Sequence, residues 1–184
     1  MTTAAEEHRT IAGRFTELTQ HARPGTWDAP SPCPGWAARD VVRHLVEWLP
    51  GFLAAGAGIE LPKGPSPDDD PAGAWQAHAA AVQALLDDPA SESVVLRDRN
   101  VGELPLPAAI TMFYTSDVFM HTWDLARATG QDDTLDPERC ARMLEGMGPA
   151  EAAMRGSGHF GPRVEVPGDA DPQTRLLAFI GRRP

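Results

Sequence analysis

Asp117-Val118-Phe119-Met120-His121-Thr122-Trp123-Asp124-Leu125 lies in the middle of the stretch whose reading decides the fold. Ile110, Phe113, Asp117, His121, Leu125 and Ala128 recur at the three-and-four spacing of one helix face, which predicts a helix over about 108–129. Gly130 is placed to end it, because glycine enters the left-handed backbone region at a helix C-terminus without steric cost. Asp117 and His121 are four residues apart and so point to one place. A carboxylate and an imidazole aimed at an apolar core are costly unless something satisfies them.

A second segment, Trp36-Ala37-Ala38-Arg39-Asp40-Val41-Val42-Arg43-His44-Leu45, offers a third such group. Val41, Leu45, Trp48 and Phe52 form the apolar stripe of a helix over about 37–55, which Pro50 is expected to kink or end early. His44 borders that stripe, three residues after Val41 and four before Trp48. A divalent metal held by His44, Asp117 and His121 would satisfy all three groups. Mixed nitrogen and oxygen donors suit zinc, nickel, iron or manganese, with zinc the first expectation and nickel the second. Three protein ligands and an open position form the catalytic pattern, and the lack of cysteine ligands in that set disfavours a structural zinc. The plainer alternative is a buried Asp–His hydrogen bond without metal.

The remaining chain reads as more helices. Ile11, Phe15 and Leu18 predict one over 4–21, and the four prolines of 22–35 end it. Trp75, His78, Val82, Leu85 and Leu86 predict another over about 72–88. A short hairpin is expected from Ser93–Leu96, a turn at Arg97–Asn100, and Val101–Leu106. Asp136-Pro137 has the Asp-cap, proline-first signature of a fifth helix, expected to reach about 154. An extended piece over 163–166 and a last helix over 172–180 complete the tail. The fold class is therefore mostly all-α: a four-helix bundle with a short C-terminal decoration and a small hairpin, with 1–184 as one domain.

Composition narrows the function classes. A net charge of −10 and a single lysine, Lys63, exclude the basic surface that nucleic-acid binding needs. No apolar run approaches a membrane span, and the acidic start MTTAAEEHRTIAGRF lacks a signal-peptide apolar core, so a cytoplasmic location is expected. Cys33 and Cys140 stand outside any CxxC or zinc-ribbon spacing and read as small, semi-buried residues. His78 reads as a core or surface residue, and His8 and His21 as exposed helix residues. His159 sits in a glycine-rich loop that could fold over the site. Asp124 and Arg127 are spaced to pair, and Arg39 and Asp40 to support their helix; a sharper role for these residues is to bond the free imidazole nitrogen of a ligand.

Two motifs carry a resemblance to a known family. Pro32-Cys33-Pro34-Gly35-Trp36 followed by Asp40-Val41-Val42-Arg43-His44-Leu45 resembles the metal-binding domain of mycothiol-dependent maleylpyruvate isomerases. Asp117-x-x-x-His121-Thr122-Trp123-Asp124-Leu125-Ala126-x-Ala128-x-Gly130 resembles the second motif of the same group, within the DinB/YfiT-like superfamily. Phe160-Gly161-Pro162 and Arg175-Leu176-Leu177-Ala178-Phe179 look like its single-domain actinobacterial branch. The resemblance implies a DinB-like bundle with a metal held by His44, Asp117 and His121, and mycothiol as co-substrate. Asp117 stands where the isomerase has a glutamate, one methylene longer, and no counterpart of the isomerase's extra C-terminal domain is recognised. Metal binding is the expectation that survives these departures.

Four functions are compatible with this reading. The first is a metal-dependent thiol S-transferase or isomerase-like enzyme, with a small-molecule thiol and an electrophile as partners. The second is metal-assisted hydrolysis, for which Asp124, Glu47 or His159 would have to serve as base. The third is a non-enzymatic, metal-containing module that binds a small molecule or forms a homodimer. The last is a bundle without metal.

Overall fold

The computed structural model describes residues 2–99, 102–156, 158 and 160–184. It is mostly helical and contains two compact units, Met1–Gln131 and Asp132–Pro184. Among the described residues, no helix is long and apolar enough to cross a membrane.

In the first unit, helix α1 (Ala4–His21) starts in a capping box. Thr3 Oγ1 accepts from the Glu6 N–H at 3.1 Å, and the Glu6 carboxylate accepts from the Thr3 N–H at 2.8 Å, satisfying two donors that a helix start leaves orphaned. Its apolar face, Ile11, Ala12, Phe15 and Leu18, is buried against α3 (Pro71–Asp87), where the Phe15 and Trp75 rings lie 4.3 Å apart. Trp75 Nε1 donates to Thr16 Oγ1 at 2.8 Å, so the indole's polar edge is satisfied where its body is buried. Complete burial of a side chain like Phe15 contributes about 2–3 kcal/mol.

Helix α2 (Ala38–Ala57) begins where the Asp40 carboxylate accepts from the Ala37 N–H at 2.7 Å, and it ends at Gly58, whose φ of 68° is left-handed. Of the two effects expected of Pro50, an early end does not occur: α2 runs through it to Ala57. Proline deprives the Val46 carbonyl of its partner, but Leu45, Leu49 and Leu53 are fully buried on both sides of it and keep successive turns on the core. Strands β1 (Val95–Asp98) and β2 (Gly102–Pro105) form the antiparallel hairpin; Arg97 and Asp98, expected in its turn, belong to β1 instead, and Asn100 and Val101 lie outside the described residues. The hairpin docks by Leu96 on the end of α2, so closely that a Cβ at Gly56 would stand 2.9 Å from Leu96 Cγ.

The chain from Leu106 to Thr129 is helical throughout but not uniform. Helix α4 (Leu106–Ala109) passes through a π-helical turn, Ile110–Thr115, into α5 (Ser116–Thr129). The wider turn carries an extra residue and shifts the phase of the buried face. Ile110 and Tyr114 are fully buried, Phe113 is half-buried and Met112 is exposed. Helix α5 is buried almost all round, and Gly130, with φ 68°, closes it as expected. Each of α1, α2, α3 and α5 packs on two of the others: α1 and α2 each touch both α3 and α5.

In the second unit, Asp136 caps α6 (Pro137–Met147) by accepting from the Arg139 N–H at 2.8 Å. The helix stops seven residues short of expectation, at Gly148-Pro149, where proline has no N–H to continue the ladder. A short 3₁₀ turn leads to α7 (Glu151–Gly156). Helix α8 (Pro172–Phe179) packs on α6, and Cys140 is buried, which pushes its thiol up to about 11. The segment 163–166 belongs to no described strand; its Val164 N–H donates instead to the Ala178 carbonyl at 2.9 Å. His159 lies outside the described residues.

Candidate metal centre

The site begins with a turn. Trp36 N–H donates to the Cys33 carbonyl at 3.0 Å, with Pro34 and Gly35 between them and Gly35 at φ 78°. Proline followed by a left-handed glycine is the signature of a type II turn. Its ends are held again where Ser31 N–H donates to the Trp36 carbonyl at 2.8 Å. The turn delivers Cys33 and Trp36 to the start of α2. Gly35→Ala is expected to cost about 1–2 kcal/mol through backbone strain alone, since nothing lies within 4 Å of the added Cβ. Denaturant unfolding would read that loss; unchanged stability would show that this turn does not need glycine.

His44 from α2 and Asp117 and His121 from α5 converge. One donor atom from each lies within 4.8 Å of the others. His44 Nε2 is 2.9 Å from Asp117 Oδ2, and His121 Nε2 is 3.5 Å from Asp117 Oδ1. Trp48 Nε1 donates to the same Asp117 Oδ2 at 3.1 Å and fixes the carboxylate. The Trp36 ring covers both imidazoles, 5.1 Å from His44 and near-parallel to His121 at 5.8 Å. The side chains of His44 and Asp117 are 30% and 20% exposed against 8% for His121, so the cluster opens to solvent on its His44–Asp117 side.

Behind His121, its Nδ1 lies 2.9 Å from Asp124 Oδ2, and Asp124 is fully buried. Cys33 Sγ donates to that carboxylate oxygen at 3.3 Å. Burial by itself would hold His121 neutral, but Asp117 and Asp124 on its two sides outweigh burial and raise it to about 10. Burial likewise opposes ionisation of Asp117, but the facing imidazoles of His121 and His44, with the Trp48 indole, hold its carboxyl below the usual value.

The other sequence candidates separate clearly. Asp124 is turned to the His121 ring, the sharper of its two readings, while the Arg127 guanidinium lies 5.4 Å over the Trp123 ring. Asp40 caps α2 and pairs with Arg43, and Arg39 bonds Asp28 at 2.8 Å, so both support the helix and its approach. Glu47 is exposed. His78 is a core residue whose ring is 5.5 Å from Tyr114. His8 is buried, not exposed: at three residues before Ile11 it continues the α1 stripe, and its Nδ1 lies 3.3 Å from Thr115 Oγ1. Sequence spacing missed Cys33, Trp36 and Trp48 as parts of the site. The one local signal for Cys33 is its place in a Pro-x-Pro-Gly turn rigid enough to aim a side chain.

Residues 8–126 match the family described as the mycothiol maleylpyruvate isomerase N-terminal domain, and the chain belongs to that family. It is also 32% identical, over 187 aligned residues and 95% of each chain, to an uncharacterized protein of Mycobacterium tuberculosis found in strain CDC 1551 / Oshkosh and in strain ATCC 25618 / H37Rv. No solved structure matches the chain.

Proposed function

We propose, from that family membership and from the meeting of His44, Asp117 and His121, that the protein holds a divalent metal and uses it to activate a small-molecule thiol for attack on an electrophile. The observation that supports this most is the donor set: two imidazole nitrogens and a carboxylate from two helices, within 4.8 Å and open to solvent on one side. Such donors fit zinc or nickel, and three of them leave a position for an outside ligand. A cation there would favour the thiolate form of a bound thiol, the reactive nucleophile.

The protein's own groups divide the remaining work. Asp124 accepts from His121 Nδ1, which fixes the tautomer that turns Nε2 toward the cluster. Trp48 restrains the Asp117 carboxylate, and Trp36 shields the inner side from water. Asp117 is shorter than the glutamate of the isomerases it resembles, yet its two oxygens already face the two imidazoles. The thiol is mycothiol in this reading, from the family's own description. The thiol's proton passes to solvent as the thiolate forms. Its sulfur then bonds the electrophilic carbon as that carbon's bond to halide or to epoxide oxygen, or its π bond to its alkene partner, breaks, the halide departing or the oxygen or carbon taking a proton from solvent.

Elemental analysis of untagged, purified protein beside His44→Ala tests the reading. About one ion per chain is expected in the wild type, and strongly reduced content in the variant. No metal in either, and no uptake of added zinc or nickel, would overturn it. Metal in the wild type with no turnover of mycothiol against a panel of epoxides, alkyl halides and conjugated alkenes would reassign the site to a non-catalytic binding module.

A further inference from the structure

The two nitrogens of His121 face different surroundings. Nε2 faces Asp117, and Nδ1 faces Asp124 and Cys33. On the Nδ1 side the distances are 2.9 Å from Nδ1 to Asp124 Oδ2, 3.3 Å from that oxygen to Cys33 Sγ, and 4.0 Å from Sγ back to Nδ1. Tetrahedral zinc bonds of about 2.3 Å to sulfur and 2.0–2.1 Å to nitrogen and oxygen place neighbouring donors roughly 3.3–3.6 Å apart. The observed triangle straddles that range with the side chains as they stand. All three residues are buried, with Asp124 fully so.

We propose that Cys33, Asp124 and Nδ1 of His121 form a second cation site for a soft divalent ion, back to back with the first across the imidazole ring. The sulfur distinguishes it chemically. The His44–Asp117–His121 set offers nitrogen and oxygen only, whereas a thiolate selects zinc, cadmium and cobalt over harder ions. Uptake forms three bonds, from the ion to sulfur, nitrogen and oxygen. It breaks the Cys33 S–H and His121 Nδ1–H bonds, and both protons pass to solvent with no change of oxidation state. A divalent ion there balances a thiolate and a carboxylate where water is excluded. Because the two sites share one ring, an ion in either changes the affinity of the other by the same factor in both directions. The proposal does not rest on the first site being occupied.

The test is titration of the metal-free full-length protein with cobalt(II), read in the near ultraviolet, where a thiolate bound to cobalt gives a charge-transfer band. The band is expected in the wild type, in His44→Ala and in Cys140→Ser, and is expected to vanish in Cys33→Ser. Serine keeps a hydroxyl that can bond Asp124, so this variant retains the local packing while losing the soft ligand. A second bound equivalent should disappear with the band. Absence of the band in the wild type, or its survival in Cys33→Ser, would overturn the proposal and leave Cys33 as a hydrogen-bond donor that positions Asp124. Failure of the first site reads differently: His44→Ala would then match the wild type in total uptake, whatever Cys33 does.

Discussion

His121→Ala is expected to purify without metal and to take up none from micromolar zinc, the largest effect of any single substitution at the centre. His44 offers a donor on one side only, whereas His121 faces a carboxylate with each of its two nitrogens. It faces Asp117 at 3.5 Å with one nitrogen and Asp124 at 2.9 Å with the other. Its loss also leaves two carboxylates facing an emptied space, Asp124 among them in full burial. Asp124→Asn is the milder companion, since an amide oxygen can still accept from Nδ1–H while the charge is gone. Partners one shell removed from a metal are worth about 10–100-fold in affinity, and that is the weakening expected for Asp124→Asn. Competition with a chromophoric zinc chelator measures both variants. Wild-type affinity in His121→Ala would remove it from the ligand set, and His121→Gln, which is closer in bulk, separates loss of a ligand from loss of the fold.

Acid should unfold the helical core of Met1–Gln131 well above the pH at which carboxylates protonate. His8 and His78 are buried, and burial lowers each from 6.5 to about 4; the charge on Arg9 adds to the effect at His8, and the His8–His78 repulsion at His78. Above 6.5 both are neutral in the folded and unfolded chain alike, and stability is at its full value. Below it the unfolded chain takes up protons that the folded chain refuses, and stability falls until the folded imidazoles protonate near 4. The loss between pH 7 and pH 5 is about 2 kcal/mol for each histidine. Two such losses together reach a large share of the ~5–15 kcal/mol that holds a typical domain. His121 acts with the opposite sign: its raised value stabilises fully below 6.5, and that contribution declines from there until it is gone as pH climbs through about 10. Near pH 7 it therefore offsets a small part of the change, equally in the wild type and in His78→Gln. Urea unfolding followed by tryptophan fluorescence reads this unit selectively, because all five tryptophans lie within it. His78→Gln should lose roughly half the pH dependence, about 2 kcal/mol less than the wild type over the same two units. Equal slopes in the two proteins would show that these histidines are not the acid-labile element.

Local spacing was sufficient for much of this protein. The stripe Ile11, Phe15, Leu18 fixed α1, and a carboxylate and an imidazole four apart on one helix must point together whatever surrounds them. The position of His44 beside an apolar stripe told that it borders the core, because a helix stripe is buried wherever the helix packs. Other features depend on contacts between residues far apart in the chain, which no local period records. Cys33 meets Asp124 across 91 positions, brought there by a proline–glycine turn and the packing of α2 on α5. His8 is buried because α1 and α3 close over it and Thr115 reaches its ring, 107 residues away. Pro50 is carried within α2 because the leucines around it are buried, and the π-helical turn before Asp117 resets the face that the 3.6-residue period had drawn through Phe113. Sequence determined which helices form and which polar groups share a face; tertiary packing decided which of those groups meet, because burial and long-range contact outweigh the modest local preferences of a proline or an isolated histidine.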